Sequence, residues 1–245
     1  MISDDDFGPI LEDLLRLYPA MTALHLRDGH RRSSNLAHGW YQRVRRSCLA
    51  IVALDQLGYD SEAAPIRRTV IEHTVALRWL ARDGDAVMDV MALEHVARLK
   101  RLRTATTLAN WASVDPDAMQ AVIDDIDEQS WDRSREEMKY FSKQNPGQSE
   151  LVFYLVEVGR VHATYQSAID YADLERNAFR DRSDDETDNL KMTADFLLES
   201  TGLFHSMFEE PVWADALADL EARSRAANDR VRARRGLPPL DEDSA

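Results

Sequence analysis

Arg68, Glu72 and His73 lie close together in the run PIRRTVIEHTVALRWLA, and they are residue types that steady phosphate charge, pair with cations and move protons near neutral pH. Arg68 and Glu72 stand four apart, the spacing at which two side chains meet on one face of a helix. Arg68 and His73 form an Arg-x4-His pattern. A second histidine, His162, stands far downstream in YLVEVGRVHATYQSAIDY. Two histidines on core-facing surfaces of separate helices have three uses: holding a metal, relaying a proton, or satisfying each other's hydrogen bonds. These four residues are the candidate site, and the same four read equally well as a buried network that fixes helix register.

The elements that position them follow from helical spacing. At 100° per residue, Ile66, Val70, His73, Leu77 and Leu80 fall in one stripe, which points His73 at the core. Arg67, Arg78 and Arg82 share another sector, assigned to solvent. Arg68, Glu72, Val75 and Trp79 share a third, expected to be a second and partly buried contact surface. A buried charged pair broken on one side costs about 3–5 kcal/mol, so Glu72→Ala is expected to destabilise strongly. Downstream, a helix from Ser149 to about Asp173 carries Leu151, Leu155, Val158, His162 and Ile169 as its apolar stripe, flanked by Tyr154 and Tyr165, and Gly159 permits close helix approach.

Helical periodicity runs nearly throughout, without a convincing period-2 strand, so the expected class is all-α: an antiparallel helical bundle of about six to eight helices. Residues 1–32 give a short helix near 7–17 and a polar lead-in; 33–210 the helical core domain; 211–236 a C-terminal amphipathic helix; 237–245 a loose tail. Ser33 or Ser34 caps a helix that Gly58 ends, with Leu36, Trp40, Val44, Ile51 and Leu54 inward. Asp60 or Ser61 caps the central helix and Gly84 ends it. Asp85 opens a third helix reaching about Trp111, Asp115–Pro116 starts a fourth, and Asn145, Pro146 and Gly147 make a turn before the His162 helix. Asp181 to Asp188 reads as an exposed link before an apolar helix over about 190–208. In the last helix Trp213, Leu217, Leu220, Ala227 and Val231, interrupted by Ser224, form a seam for the chain's own domain or for a partner subunit.

Charge narrows the function classes. The 245 residues carry a net charge of −14, which disfavours non-specific attraction to nucleic acid or anionic membrane, so any polyanion site must be local. Arg98, Lys100, Arg101 and Arg103 spread around a helix and read as a solvated face, as do Asp124 and Glu128. His25, His30 and His38 read as a surface cluster. The single Cys48 excludes an intramolecular disulfide and a cysteine metal site, and reads as a buried packing residue. No apolar run approaches the ~20 residues that span a bilayer, and the N-terminus is acidic, so a cytoplasmic protein is expected. No phosphate loop, zincin motif or dinucleotide fingerprint is present, and no cofactor is expected.

A leucine- and alanine-rich helix, then LGYDSEAAPIRRTVIEHTVALRWLA, then YLVEVGRVHATYQSAIDY, resembles a widespread family of bacterial helical proteins of unknown function. Its Arg-x3-Glu helix and downstream Val-His helix match at Arg68, Glu72 and His162, and the resemblance covers roughly residues 35 to 175. The spacing of Arg68 and His73 is also similar to that of HEPN-type helical ribonucleases. That resemblance implies a small all-α dimer whose arginine steadies phosphate charge while its histidine handles protons on RNA, without a metal. On an ideal helix the two side chains point about 140° apart, so such a site implies a second subunit or a local distortion. Two roles follow: association or small-ligand binding through the Arg68, Glu72, His73 and His162 cluster, or a metal-independent ribonuclease of toxin or phage-defence type. A homodimer is the expected assembly and RNA a possible partner.

Overall fold

The computed structural model describes residues 6–17, 26–109, 111, 115–127, 131, 132, 134, 136–162, 172–173, 178–179, 189–210 and 212–239. The helical periodicity resolves among them into eight helices: α1 (Gly8–Arg16), α2 (Ser34–Gln56), α3 (Ala64–Asp83), α4 (Ala86–Leu108), α5 (Pro116–Asp127), α6 (Gln148–Val161), α7 (Asn189–Ser206) and α8 (Ala214–Arg234). The class is all-α. The one strand pair among the described residues is a two-residue antiparallel contact of Ala172–Asp173 with Ala178–Phe179. Two punctuation signals act as their chemistry requires. Asp115 accepts hydrogen bonds from the backbone N–H groups of Asp117 and Ala118 at the start of α5, and Gly58 takes a positive φ of 74° after α2.

Helix α3 lies at the centre because it has almost no face to give to water. Val70, Ile71, Thr74, Val75, Leu77, Trp79 and Leu80 are all buried, and α2, α6 and α7 each pack against it. On α2 the inward face is turned from the expected one: Ala37, Tyr41, Val44, Cys48 and Ile51 are buried, whereas Leu36, Trp40 and Leu54 sit at its edge. Tyr41 stacks on Phe204 of α7 with centroids 4.6 Å apart. Cys48 is fully buried, which pushes its thiol up and leaves it a packing residue. Helix α8 packs on its own chain, where Trp213, Leu217, Leu220, Ser224 and Ala227 are buried and α1 and α7 are its neighbours. Each large apolar side chain so buried contributes about 1.5–3 kcal/mol.

The turn between α3 and α4 is fastened to the segment before α2. Gly84 adopts φ +58°, and a Cβ added there would stand 2.2 Å from the Gly29 carbonyl oxygen. The Asp85 N–H donates to that same oxygen, and the Asp85 carboxylate accepts from both the N–H and the hydroxyl of Ser33, at 2.8 and 2.9 Å. Ser33 therefore precedes α2 without capping it through its side chain. Burial alone would raise the Asp85 carboxyl; the Ser33 bonds, with help from Arg32, hold it below the ordinary carboxylate value. His30 joins this clamp and is buried, with Nε2 3.2 Å from the Ala81 carbonyl, which corrects its expected place on the surface. His38 is half-buried and His25 lies outside the described residues.

Gly84→Ala is expected to lower stability by at least ~1–3 kcal/mol, because the backbone is glycine-only and the added methyl overlaps a carbonyl. Denaturant unfolding measures it, and an unchanged midpoint would refute this account of the turn.

Candidate functional site

The polar residues of α3 divide differently from the expectation. Arg67, assigned to the wet side, is 0% exposed, and its Nε donates to Oε1 of Glu157 at 2.8 Å while Nη1 donates to the Asp60 carbonyl at 2.6 Å. Arg78 also turns toward the protein. Its Nη1 donates to Glu150 and its Nε to Glu199, both at 2.9 Å. Arg82 alone of the three stays at the surface, beside Asp83. The partners explain the inversion, since Glu150 and Glu157 both come from α6 and stand seven apart, two helical turns on one face. Glu150 also accepts from the Gly147 N–H and so caps the start of its own helix.

Helix α6 thus packs with its carboxylates inward and its aliphatic residues outward. Leu151, Val152, Leu155 and Val156 are exposed, Leu155 to 59%. The stripe expected to face the core, Leu151, Leu155, Val158 and His162, does not do so. The helix ends at Val161, and His162 follows as an exposed residue in extended conformation. Eight residues separate it from Tyr154, about 12 Å along an α-helical rise, so His162 is not brought to the other candidates. Tyr165 and Ile169 lie outside the described residues.

Glu72 and His73 do come together on the wall of a recess, with Arg68 bonded behind it to Glu72. Arg68 Nε donates to Glu72 Oε1 at 3.0 Å, Nη2 donates to the Tyr154 hydroxyl at 3.3 Å, and the guanidinium lies 5.2 Å from the centre of the Tyr154 ring. Tyr154 stacks in turn on Phe141 at 4.4 Å. With side-chain exposures of 29% and 35%, the Arg68–Glu72 pair is about a third in solvent, where screening leaves about 0–1 kcal/mol. The large loss expected for Glu72→Ala is therefore corrected: the buried pair of this helix begins one residue earlier, at Arg67.

The recess, of ≈ 400 Å³, is lined by Trp40, Glu72, His73, Ala76, Met91, Glu94, Lys139, Tyr140, Phe141, Gln144 and Tyr154. His73 is half-buried there instead of lying in dry core. Its Nδ1 lies 2.8 Å from the Thr69 carbonyl, which can only accept, so Nδ1 carries the proton and Nε2 keeps a lone pair. Burial holds the imidazole below its ordinary 6.5; the Thr69 bond and Glu72 oppose this, and Arg43 adds to it. Arg68 does not line the recess but braces its wall through Tyr154 and Glu72. Sequence reasoning missed Glu94, Lys139, Tyr140 and Gln144. Lys139 ends the short 3₁₀ turn Glu136–Lys139, Tyr140 links it to the turn Phe141–Lys143, and Gln144 follows that turn beside Asn145, where no helical period marks an inward residue. Among the described residues no group of three or more histidine, cysteine or acidic side chains is arranged to hold a metal, and no helix is long and apolar enough to cross a membrane. Of the basic run, Arg98, Lys100 and Arg101 are exposed, as expected, and Arg103 is half-buried.

A family model described as a family of unknown function, DUF5677, matches residues 34–181. Comparison with curated proteins and with solved structures finds no match. The matched span begins at α2 and includes every residue lining the recess.

Two outcomes follow from these groups. Arg67→Met is expected to cost about 3–5 kcal/mol by stranding Glu157, and the double change Arg67→Met with Glu157→Met to regain most of it. Equal losses in the single and double variants, by denaturant unfolding, would refute the pairing. For His73, a folded value below 6.5 means that its contribution to stability is present above that pH and is lost as pH falls through the folded value. An NMR titration of the His73 ring should show a midpoint under 6.5, and His73→Gln should flatten the acid side of the stability curve. A midpoint at or above 6.5 would contradict the burial argument.

Proposed function

The chain belongs to the DUF5677 family of unknown function, so its role is read from its own recess, and we propose that this recess binds a small molecule. The observation that carries the reading is His73 Nε2, a lone pair with no partner among the described residues, in a pocket walled by Trp40, Tyr140, Phe141 and Tyr154. A concave site with aromatic walls and a few convergent polar groups is the ordinary form of a small-ligand site, and its volume lies within the roughly 300–1,000 Å³ such sites occupy. Arg68 and Glu72 hold the wall in place, and association with the ligand is the function.

The second reading is a metal-independent ribonuclease in which Arg68 and His73 act with Glu72 in support, and His162, expected to join them, stands apart. The Arg-x4-His spacing and the basic Nε2 of His73 favour it. Two features weigh against it: Glu72 and Glu94 repel a phosphate from the recess, and Arg68 is already engaged by Glu72 and Tyr154. The expected homodimer has support in the exposed ridge Leu151, Val152, Leu155 and Val156, which suits a second copy of the helix.

The test is a metabolite-library thermal shift on the full chain and on Ala76→Trp, which fills the recess. Ligands that stabilise the wild type should fail to stabilise the filled variant, whose circular dichroism stays unchanged. A wild type that responds to nothing, or a filled variant that responds equally, overturns the reading. RNA cleavage in EDTA that disappears in folded His73→Ala would establish the ribonuclease in its place. Light scattering of the same samples, with Leu155→Glu beside them, reads whether the α6 ridge pairs two copies.

A further inference from the structure

Resting on the reading of the recess as a ligand site, the hydrogen-bonding inventory of its walls narrows what the ligand is. His73 Nε2 is an acceptor, because Nδ1 spends its proton on the Thr69 carbonyl. Gln144 donates its amide nitrogen to the Met138 carbonyl at 3.0 Å, which fixes the amide orientation and leaves its side-chain oxygen as an acceptor. Arg68 takes Oε1 of Glu72, so Oε2 remains. Glu94 comes across from α4, and its partner Arg101 stands 3.9 Å away with a side chain 75% exposed, a contact that neutralises it weakly. The ammonium in the recess, Lys139, also feels Glu94, but its hydrogen bond goes to Glu136 at 2.9 Å and it lies 5.4 Å from the Tyr140 ring centre.

The walls therefore carry two carboxylates from two different helices and aromatic faces that are themselves negative. An anion finds two carboxylates there against one ammonium that Glu136 already holds, while the neutral donors of the walls, the Trp40 N–H and the Tyr140 and Tyr154 hydroxyls, do not offset that charge. We propose that the recess binds an organic cation, an amine or guanidinium on a compact apolar body, with its N–H groups on Glu72, Glu94, His73 and Gln144 and its apolar part against Trp40 and Tyr140. A protonated amine supplies the three donors that these acceptors lack, and the rings cover the carbon skeleton.

Three probes of nearly equal shape separate charge from shape: benzylamine, benzyl alcohol and benzoate, each titrated calorimetrically into the full chain at neutral pH. Benzylamine should bind in the millimolar range usual for so few atoms, about tenfold or more tighter than benzyl alcohol, since hydrogen bonds to charged groups exceed neutral ones by that much. Benzoate should not bind. Glu94→Gln, on the wall away from the Arg68 brace, should weaken benzylamine about tenfold and leave benzyl alcohol unchanged. Tight binding of the alcohol or the anion overturns the cation assignment and leaves the recess reading in place. Binding of none of the three overturns the assignment as well, and the library screen against Ala76→Trp then decides the recess by itself. A Glu94→Gln variant that binds benzylamine as the wild type does removes the carboxylate from the site.

Discussion

Two guanidinium groups on α3 facing two carboxylates on α6 set the geometry on which the recess depends. Arg67 with Glu157 and Arg78 with Glu150 lie toward opposite ends of the contact, and the helices run antiparallel between them. Apolar surfaces tolerate sliding, since one methyl group replaces another at little cost. Buried charges do not. Displacing α6 by one turn, about 5.4 Å, would leave a fully buried arginine without its carboxylate, a penalty of several kcal/mol. The contact thus favours a single register, the best-attested use of buried ionic groups.

That register places Tyr154. Lying between Glu150 and Glu157 on α6, Tyr154 meets Arg68 through its hydroxyl and its ring face, and it stacks on Phe141. Through Phe141 the fixed helix carries the turns that bring Lys139, Tyr140 and Gln144 over α3 and α4. From the other side Trp40 contributes because α2 is rotated so that Tyr41 enters the core against Phe204 and its neighbour is left at the edge. The recess is accordingly a remainder: the space left where α2, α3, α4 and α6 are each held by contacts elsewhere.

Much of this was legible in the chain. Helix ends followed from Gly58, Gly84 and the Asp115–Pro116 pair, because those residues act through local chemistry that needs no partner. The α8 residues buried against the chain's own helices were legible for a similar reason, since apolar residues at alternating spacings of four and three have one obvious use. What misled was the premise that charge faces water. On α6 Glu150, Tyr154 and Glu157 form a polar stripe, and on α3 Arg67 and Arg78 form another; each alone reads as a solvated face. Together they are complementary, with carboxylates on one otherwise apolar helix and guanidiniums on another. A pairwise comparison of helices carries that signal, and a helix-by-helix reading does not. His162 was misplaced by the same premise, and His73 was placed only in part, since a stripe says which way a side chain leaves its helix but not whether a cavity meets it there.

The hydrogen bond from His73 to the carbonyl one turn earlier in its own helix fixes more than a ring orientation. Thr69 holds the Nδ1 proton whether the imidazole is neutral or charged, so a proton arriving from acid has one place to go, the other nitrogen. There it turns an acceptor into a donor and adds a positive charge beside Glu72, with no rotamer, helix or backbone bond changed. Protons therefore compete with any hydrogen-bond donor for the same lone pair, and acidity shifts what the recess prefers.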